Sequence, residues 1–199
     1  MGNREDLLAG ARKVIVERGV AKATARDIAS AAGVSLAAIG YHFGSKEALI
    51  TEALAESLGN AIGDGMEALI RDASGMSLLR AFAHLWNEIP KIFRDNRDYM
   101  TASMENMVRV IRSPKEQQYY TDAMPGIYRE MVVALRDTHP QLSEDNAYAI
   151  AQLYWVLVQG LGVLSVVMPD AEMPDGDRLA EAVAALAGDA GAQPNSSGG

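Results

Sequence analysis

The sequence contains no cysteine and only three histidines among its 199 residues. Without cysteine, neither disulfide bonds nor thiolate metal sites can form. The three histidines, His42, His84 and His139, lie far apart in the sequence, so a histidine-rich zinc site is not expected. Segments that alternate in polarity around Asn-Gly or Asp-Gly turns are also missing, which leaves β-hairpins without support.

Motifs of common enzyme classes are absent as well. The sequence has no glycine-rich phosphate loop, no Gly-x-Ser-x-Gly elbow and no His-Glu-x-x-His pair. His84 and Glu88 have the spacing of an acid–base pair on one helix face, but a solvated or core pair is the better interpretation. We therefore expect no catalytic residue, no metal or other cofactor and no enzymatic activity.

Targeting and membrane segments are not evident. The N-terminus turns acidic at Glu5 and Asp6 before it turns apolar, unlike the start of a signal peptide. The most apolar stretch, Leu153 to Met168, contains Gln159 and two glycines, and we expect it to be too short to cross a bilayer. These features predict a cytoplasmic protein without a membrane partner.

The formal net charge of −8 is unevenly distributed. Residues 1–50 carry seven Lys and Arg against five Asp and Glu, which leaves eleven basic against twenty-one acidic residues for the rest of the chain. Binding to DNA needs one locally basic face rather than a basic protein. The asymmetry is therefore compatible with a DNA-binding N-terminal domain on an acidic body.

The N-terminal residues predict short helices. The apolar stripe of the first helix recurs at i, i+1, i+4, i+7 and i+8, and it consists of Leu7, Leu8, Ala11, Val14 and Ile15. Thr24 and Asp27 fit a capping box for a second helix that ends at Gly33. Ser35 is expected to cap a third helix that runs to about Phe43, and Ser45 a fourth.

Longer helices are predicted beyond this point. The expected ranges are 46–72, 76–94, 97–112, 116–138, 143–168 and 175–188. Pro90 should mark a kink or boundary, and Pro125 should kink or divide its helix. The polar, glycine-ending tail 189–199 is expected to be disordered. The chain is therefore predicted to be all-α, with about nine helices.

The second and third helices form the most informative pair. Helices this short are marginal alone in water and must pack on the first helix. Their apolar residues can close a small three-helix core made of Ile28, Ala29, Ala32, Val34, Ile39 and Phe43. Gly33 can adopt a positive φ at the turn, and such a turn lets the third helix enter a major groove of DNA.

The run from Thr24 to Leu49 resembles the DNA-binding segment of TetR-family regulators. Three parts occur in register: Ile-Ala-Ser-Ala-Ala-Gly-Val-Ser at 28–35, Tyr-His-Phe at 41–43 and Ser-Lys-Glu-Ala-Leu at 45–49. The resemblance covers about the first 55 residues. It implies an all-helical homodimer that binds double-stranded DNA, contains a ligand pocket in its body and, in most members, represses transcription.

The resemblance also implies which residues contact DNA. The expected set is Thr24, Arg26, Ser35, Leu36, Ala37, Ala38, Tyr41, His42 and Lys46. Thr24 would place its hydroxyl and backbone amide on a phosphate at a helix N-terminus, and Lys46 and the aromatic pair would bind further phosphates. Arg26 could reach a phosphate or a base edge, or could be solvated or bound within the protein. The alanines would lie against the groove.

Two positions depart from the family pattern. Gly40 stands where a tyrosine is frequent, and Leu36 is apolar where a polar groove residue is common. They predict an apolar and sparse base-reading surface. Each part of the motif taken alone also occurs in helix pairs that bind no DNA, and Tyr41 to Phe43 could be partly buried packing.

Aromatic residues and methionines are concentrated in the middle of the chain. The predicted ligand-binding set is Phe82, Trp86, Tyr99, Met100, Met104, Met107, Tyr120, Tyr128 and Trp155. Methionine fills irregular cavities, and tyrosine and tryptophan add a polar atom to an apolar surface. A pocket for a small, mainly apolar effector is one interpretation, and ordinary core packing is the alternative for each residue.

The segment from Asp145 to Met168 is apolar on more than one face, which implies burial on both sides. A possible helix–helix seam consists of Val156, Gln159, Gly160, Val163 and Val167, and the final helix has its own stripe of Leu179, Ala182, Val183 and Leu186. The resemblance implies that the last two helices form a two-fold dimer interface.

These features predict three regions: a helix-turn-helix domain at 1–48, an effector-binding and dimerisation domain at 49–188, and the tail at 189–199. We expect a repressor that binds a palindromic operator as a homodimer and is released by a small apolar ligand that moves the fourth helix. The alternative is a DNA-binding regulator whose body serves only dimerisation or binds a protein partner.

Overall fold

A computed structural model of the chain describes residues 3–190. The α-helices in this range are α1 Asn3–Arg18, α2 Ala25–Ala32, α3 Ala37–Phe43, α4 Lys46–Leu58, α5 Asp64–Asp72, α6 Leu78–Asp95, α7 Arg97–Ile111, α8 Pro114–Thr138, α9 Glu144–Val167 and α10 Gly176–Ala190. A π-helical turn, Gly59–Gly63, joins α4 to α5 without a break in helical dihedrals, so the described residues form nine helices. The predicted all-α class is confirmed.

The helices enclose two separate cores. The first lies among α1, α2, α3 and α4, which we call the head, and one residue of α7, Ala102, joins it. The second lies among α5 to α10, the body. The head core reaches Leu54 on α4, six residues beyond the predicted domain boundary. The continuous helix from Lys46 to Asp72 therefore runs from one core into the other.

The head is held together by a close crossing of α1 and α2. A β-carbon on Gly10 would stand 2.9 Å from the backbone oxygen of Ile28 and 2.9 Å from the backbone nitrogen of Ala32. Real β-carbons do not approach backbone atoms this closely. The glycine on α1, together with the small residue Ala32, therefore sets the distance between the two helices.

Two proline predictions were wrong in part. Pro90 lies inside α6 and Pro125 lies inside α8, and neither residue ends or divides its helix. Proline removes one backbone hydrogen bond. In α6, six apolar residues before the proline and Phe93 after it are buried, and this burial holds the helix on both sides of Pro90.

The C-terminal boundary also differs from the prediction. Helix α10 continues to Ala190, so residues 189 and 190 of the predicted disordered tail are helical. Residues 191–199 lie outside the described residues.

Helix α9 is longer than its most apolar stretch. By length and composition its 24 residues could cross a membrane, with a mean hydropathy of 1.8 over the best window. The expectation that this segment is too short was wrong because the helix begins at Glu144, nine residues before Leu153. Only 22% of the window is buried within the chain, and half of the residues of α9 are exposed.

Candidate nucleic-acid interface

Local hydrogen bonds close both ends of α2. The Thr24 side chain accepts from the Asp27 N–H at 3.1 Å, and the Asp27 carboxylate accepts from the Thr24 N–H at 3.3 Å. At the other end Gly33 adopts the left-handed conformation with φ 67°, and the Val34 N–H donates to the Ala29 carbonyl at 3.0 Å. The predicted capping box and the predicted glycine turn are both confirmed.

Helix α3 has an outer and an inner face. Ser35, Leu36, Ala37, Gly40 and Tyr41 are exposed, whereas Ala38, Ile39 and Phe43 are buried. Ala38 packs into the head core, so its prediction as a groove-contacting residue was wrong. The exposed face has the small residues Ala37 and Gly40 at its centre, which allows a close approach to another surface.

The start of α3 differs from the prediction at Ser35. Leu36 is the N-cap residue, it already has helical dihedrals, and no side-chain hydrogen bond caps the helix. The Ser35 carbonyl accepts from the Ala38 N–H at 3.0 Å, but its hydroxyl does not cap α3, so that prediction was wrong. The exposed Ser35 hydroxyl is therefore not used as a cap and can face a ligand.

The predicted phosphate groups of Thr24 are already engaged. Its hydroxyl donates to Asp27 Oδ2 at 2.6 Å, and its backbone N–H donates to the same oxygen. The expectation of a direct phosphate contact from both groups therefore needs correction, because a phosphate would have to displace the carboxylate. The N–H groups of Ala25 and Arg26, at the first positions of α2, have no acceptor within the helix and point in the same direction.

Lys46 lies beside the start of α2. Its Nζ donates to the Ala23 carbonyl at 3.1 Å and lies 3.5 Å from Glu47 Oε1. The contact brings the first turn of α4 against the residue that precedes Thr24. Two predicted phosphate-binding positions, Thr24 and Lys46, are therefore neighbours in space.

The aromatic pair at the end of α3 is outward-facing. Tyr41 is 86% exposed, so it is not part of the core. Its ring contacts the His42 ring edge to face, with centroids 4.8 Å apart, and His42 is half-buried. Arg26 is exposed on α2 and has no ion pair among residues 3–190. These three residues remain available for an external partner.

The positive charge of the head is largely neutralised within the fold. Three arginines form ion pairs across the head, namely Arg4 with Glu52, Arg12 with Glu56 and Arg18 with Asp27. Glu52 and Glu56 belong to α4, so residues 3–58, which form the head, carry seven basic and seven acidic residues. The excess of basic over acidic residues that was counted for residues 1–50 is therefore absent from the folded head. The electrostatic potential at its surface depends on where the unpaired cations lie.

The Asp27 carboxyl, in the first turn of α2, is ionised at neutral pH. The hydrogen bond from Thr24 lowers the pKa of the Asp27 carboxyl, and the charge of Arg18, 2.8 Å away, lowers it further. The first turn of α2 therefore keeps a carboxylate at neutral pH, which favours the helix dipole.

A buried polar cluster joins the head to the body, and we call it the polar junction. Thr51 of α4, Asn106 of α7 and Glu116 of α8 are all buried. Asn106 Nδ2 donates to Thr51 Oγ1 at 3.2 Å, and Thr51 Oγ1 donates to Glu116 Oε2 at 3.3 Å.

Arg109 completes the polar junction. Its guanidinium donates to the side chains of Glu116, Thr51 and Asn106, and it reaches the Glu47 carbonyl at 3.1 Å. Sequence reasoning missed this cluster because its hydrogen bonds from α7 and α8 to α4 span 55 to 65 residues. No local spacing signals such contacts.

The nine predicted ligand-binding residues do not line one cavity. Phe82, Trp86 and Met100 are buried in the body core, and Tyr128 and Trp155 pack against it. Tyr99 packs instead against the head core. The remaining three are Met104 and Tyr120, which are half-buried, and Met107, which is exposed. The prediction of one shared site is therefore not supported by their positions.

An aromatic cluster occupies the centre of the body, and Tyr154, which the prediction omitted, belongs to it. The Trp86 and Tyr154 rings meet edge to face at 5.7 Å, and Phe82 lies about as close to both. Trp86 is 1% exposed, and its indole N–H has no hydrogen-bond partner among residues 3–190. Burial raises the pKa of the Tyr154 hydroxyl, so this group stays protonated.

Two clefts lie on the surface of the body. One of about 350 Å³ is lined by Val132, Val133, Arg136, Asp137 and Pro140. The other is lined by Glu67, Arg71, Arg129, Glu130 and Val133. Neither contains any of the nine predicted residues. Within residues 3–190 no group of three or more histidine, aspartate or glutamate side chains is placed to hold a metal ion.

The outward face of α9 carries the predicted seam. Its five residues, Val156, Gln159, Gly160, Val163 and Val167, are all exposed. Leu186 of α10 is exposed as well, at 75%. At the C-terminal end of α9, Arg97 donates to the carbonyls of Ser165 and Val166, so α7 supports this end of the helix.

Sequence comparison connects the head to known regulators. The profile of the family described as "Bacterial regulatory proteins, tetR family" matches residues 7–53. The HTH-type transcriptional repressor KstR2 of Rhodococcus jostii is 35% identical over 80 residues, which are 40% of this chain and 39% of that protein. The HTH-type transcriptional regulator BetI of Agrobacterium fabrum is 35% identical over 82 residues, 41% of this chain and 40% of that protein. The matched region spans about two fifths of these relatives.

Structural comparison extends the likeness to more than nine tenths of the chain. The TetR family repressor AlkX from Dietzia sp. superimposes with a TM-score of 0.61 at 16% identity, covering 94% of each chain. The multidrug binding protein EbrR, complexed with proflavin, gives a TM-score of 0.55 at 18% identity, covering 92% of this chain and 99% of that one. At these identities the comparison shows a shared fold.

Proposed function

We propose that the chain, whose residues 7–53 match the TetR family of bacterial regulatory proteins, is a cytoplasmic repressor that binds a palindromic operator as a homodimer. A small, mainly apolar ligand would release it from DNA. One observation carries the proposal: residues 7–53 match the family's DNA-binding segment, and they fold into a helix-turn-helix with an exposed outer face on α3.

The DNA-binding surface combines the outer face of α3 with nearby cations. Ser35, Ala37 and Gly40 would face the major groove, and Leu36 would contact a thymine methyl. Tyr41 and the Lys46 end of α4 would bind phosphates with Arg26 and His42 beside them. In place of the Thr24 hydroxyl, the free N–H groups at the start of α2 would bind a phosphate. Because the surface that faces the bases is small and apolar, the affinity for DNA should depend strongly on phosphate contacts.

The outward face of α9 supports a homodimer. It exposes apolar side chains along several turns, and Val156 is 66% exposed. Gly160 would allow close approach, since no other part of the described chain beyond its own helix backbone and neighbours lies within 4 Å of a β-carbon built there. A two-fold contact between copies of α9 and α10 would bury this face and place two heads on successive half-sites. The same burial accounts for an apolar helix without invoking a membrane.

The aromatic cluster supports an effector site in the body. The unpartnered Trp86 N–H is a buried donor that a ligand with an acceptor atom could satisfy. The printed description of EbrR, which shares the fold, names it a multidrug binding protein. Of the predicted residues, Phe82, Trp86 and Met100 remain the candidates at this place, with Tyr154 added.

Ligand binding would act on DNA through α4. A ligand between α6 and α9 would separate these helices and shift α7 and α8, which hold α4 through the polar junction. Because α4 begins at Lys46, that shift would change the spacing of the two heads. The ligand achieves this only if it binds the spread state more tightly.

The alternative is a DNA-binding regulator that binds no small-molecule effector. Its body would serve only dimerisation or a protein partner. One observation favours it: the Trp86 and Tyr154 rings pack directly on one another, with centroids 5.7 Å apart.

Selection of duplexes from a random DNA pool tests the core of the proposal. We expect a palindrome whose affinity falls steeply with salt. Enrichment of no sequence would contradict the proposal. Sedimentation velocity tests the dimer: Val156→Lys should yield monomers, whereas Val133→Lys, an exposed control on α8, should not. A dimer that persists in Val156→Lys would contradict the α9 interface.

Calorimetry with proflavin and with n-decane tests the effector. Binding of either compound together with loss of operator affinity supports the sensor. Binding without release contradicts the proposed direction of the response, and no binding of apolar compounds favours the alternative.

A further inference from the structure

The start of α8 lies against the head. Glu116, on the first turn of α8, is buried in the polar junction, where Thr51 and Arg109 bind its two oxygens. This anchoring fixes the position of its neighbour, Lys115. Lys115 itself is exposed and forms no ion pair with the residues between 3 and 190.

The Lys115 ammonium lies beside the C-terminal end of α3. Its Nζ lies 4.0 Å from the place that a β-carbon on Gly44 would occupy. Gly44 follows α3 directly, between the aromatic residues Tyr41 and His42 and the cation Lys46. The stretch that carries the expected phosphate contacts therefore receives a cation from the body.

An additional cation at this place has a clear electrostatic value. The head contains equal numbers of acidic and basic residues, and three of its arginines are paired with carboxylates. Lys46 is partly engaged by the Ala23 carbonyl. An unpaired ammonium beside Gly44 is a point charge with three donors, which suits a phosphodiester oxygen.

We propose that Lys115 binds a backbone phosphate of the operator, so that the body as well as the head contributes directly to DNA binding. The inference rests on the proposed DNA-binding function and extends the interface to α8. Since Glu116 holds this turn in the polar junction, a shift of α8 would withdraw the ammonium from the DNA. Affinity would then fall even where α3 kept its place in the groove.

The salt dependence of operator affinity measures this contact. Each lost phosphate contact reduces the slope of log K against log salt by about 0.9, hence by about 1.8 for the two copies in a dimer. Between 50 and 200 mM KCl the wild type should therefore lose roughly twelvefold more affinity than Lys115→Gln. Lys115→Arg should retain the wild-type slope. Lys91→Gln, an exposed position on the body helix α6, removes the same charge and should leave the slope unchanged.

The measured salt slopes distinguish a failure of the Lys115 contact from a failure of DNA binding itself. A Lys115→Gln slope equal to those of the wild type and Lys91→Gln overturns the Lys115 contact and leaves DNA binding intact. A wild-type protein that binds no duplex with salt-dependent affinity overturns the proposed function itself. Both glutamine variants change exposed residues, and thermal unfolding should confirm that they fold like the wild type.

Discussion

Glu116→Gln is the sharpest test of the polar junction. The substitution keeps the size and shape of the side chain and removes its charge, which leaves the Arg109 guanidinium without an ionic partner. The two side chains are only 30% and 11% exposed, and Arg109 also donates to Thr51 and Asn106. The remaining hydrogen bonds can hold the guanidinium in place but cannot neutralise it.

The expected cost lies between two limits. Breaking a fully buried ion pair costs roughly 3–5 kcal/mol, and an exposed pair contributes roughly 0–1 kcal/mol. For the intermediate exposure of Arg109 we expect a loss of about 1.5–3 kcal/mol in the free energy of unfolding. For a chain of this length such a loss lowers Tm by about 3–12 °C. Operator affinity should fall as well, since α4 loses one of its attachments to α7 and α8.

Scanning calorimetry, with urea unfolding as a second probe, measures the effect. The matched control is Glu144→Gln, because Glu144 and Arg136 form a pair 3.9 Å apart with side chains 79% and 48% exposed. That variant should lose less than about 0.5 kcal/mol. In a double-mutant cycle with Arg109→Met we expect a coupling energy of at least about 1 kcal/mol. If Glu116→Gln is no more destabilising than Glu144→Gln, the ion pair between Glu116 and Arg109 does not stabilise the fold.

Three further predictions concern the head. Gly10→Ala should cost about 1–3 kcal/mol of stability, since the new methyl group would overlap the α2 backbone. Ala37→Glu should abolish operator binding while the protein stays folded, whereas Ala38→Glu should lose about 2 kcal/mol or more because it buries a carboxylate. Asp27→Asn should lower stability at neutral pH, and its deficit should shrink as pH falls below about 4, because the lowered pKa of Asp27 makes its contribution disappear when the carboxyl is protonated.

Denaturant unfolding and binding assays decide these outcomes. Gly10→Ala with wild-type stability would show that the helices can move apart freely. Equal stability of the two alanine variants would contradict the assigned faces of α3. For Asp27, a deficit that stays constant from pH 7 to pH 3 would exclude the carboxylate as its source.

Local signals in the sequence predicted the turn region well. The capping box and the left-handed Gly33 depend on interactions between residues at most five positions apart. The same reasoning was wrong for Ala38 and for the Ser35 cap. An alanine on a seven-residue helix can face either side, and only the packing of α3 against α1 and α4 places this one inward.

Charge could not be interpreted from the sequence order alone. Arg4 and Glu52 are 48 positions apart, and their pairing removes part of the positive charge counted in the N-terminal segment. The polar junction was missed for the same reason. Its members look like ordinary polar residues on three different helices until the helices are brought together.

The sequence by itself determined the helical class and the helix-turn-helix and indicated the resemblance to TetR-family regulators, because these depend on periodicity, caps and a contiguous motif. Tertiary structure decided which face of α3 is free, which cations remain unpaired and where α8 meets the head. Those properties depend on contacts between residues up to 65 positions apart, such as Thr51 with Glu116. Long-range packing therefore determines the charge of the surface that the helix-turn-helix presents, and it places Lys115 beside Gly44.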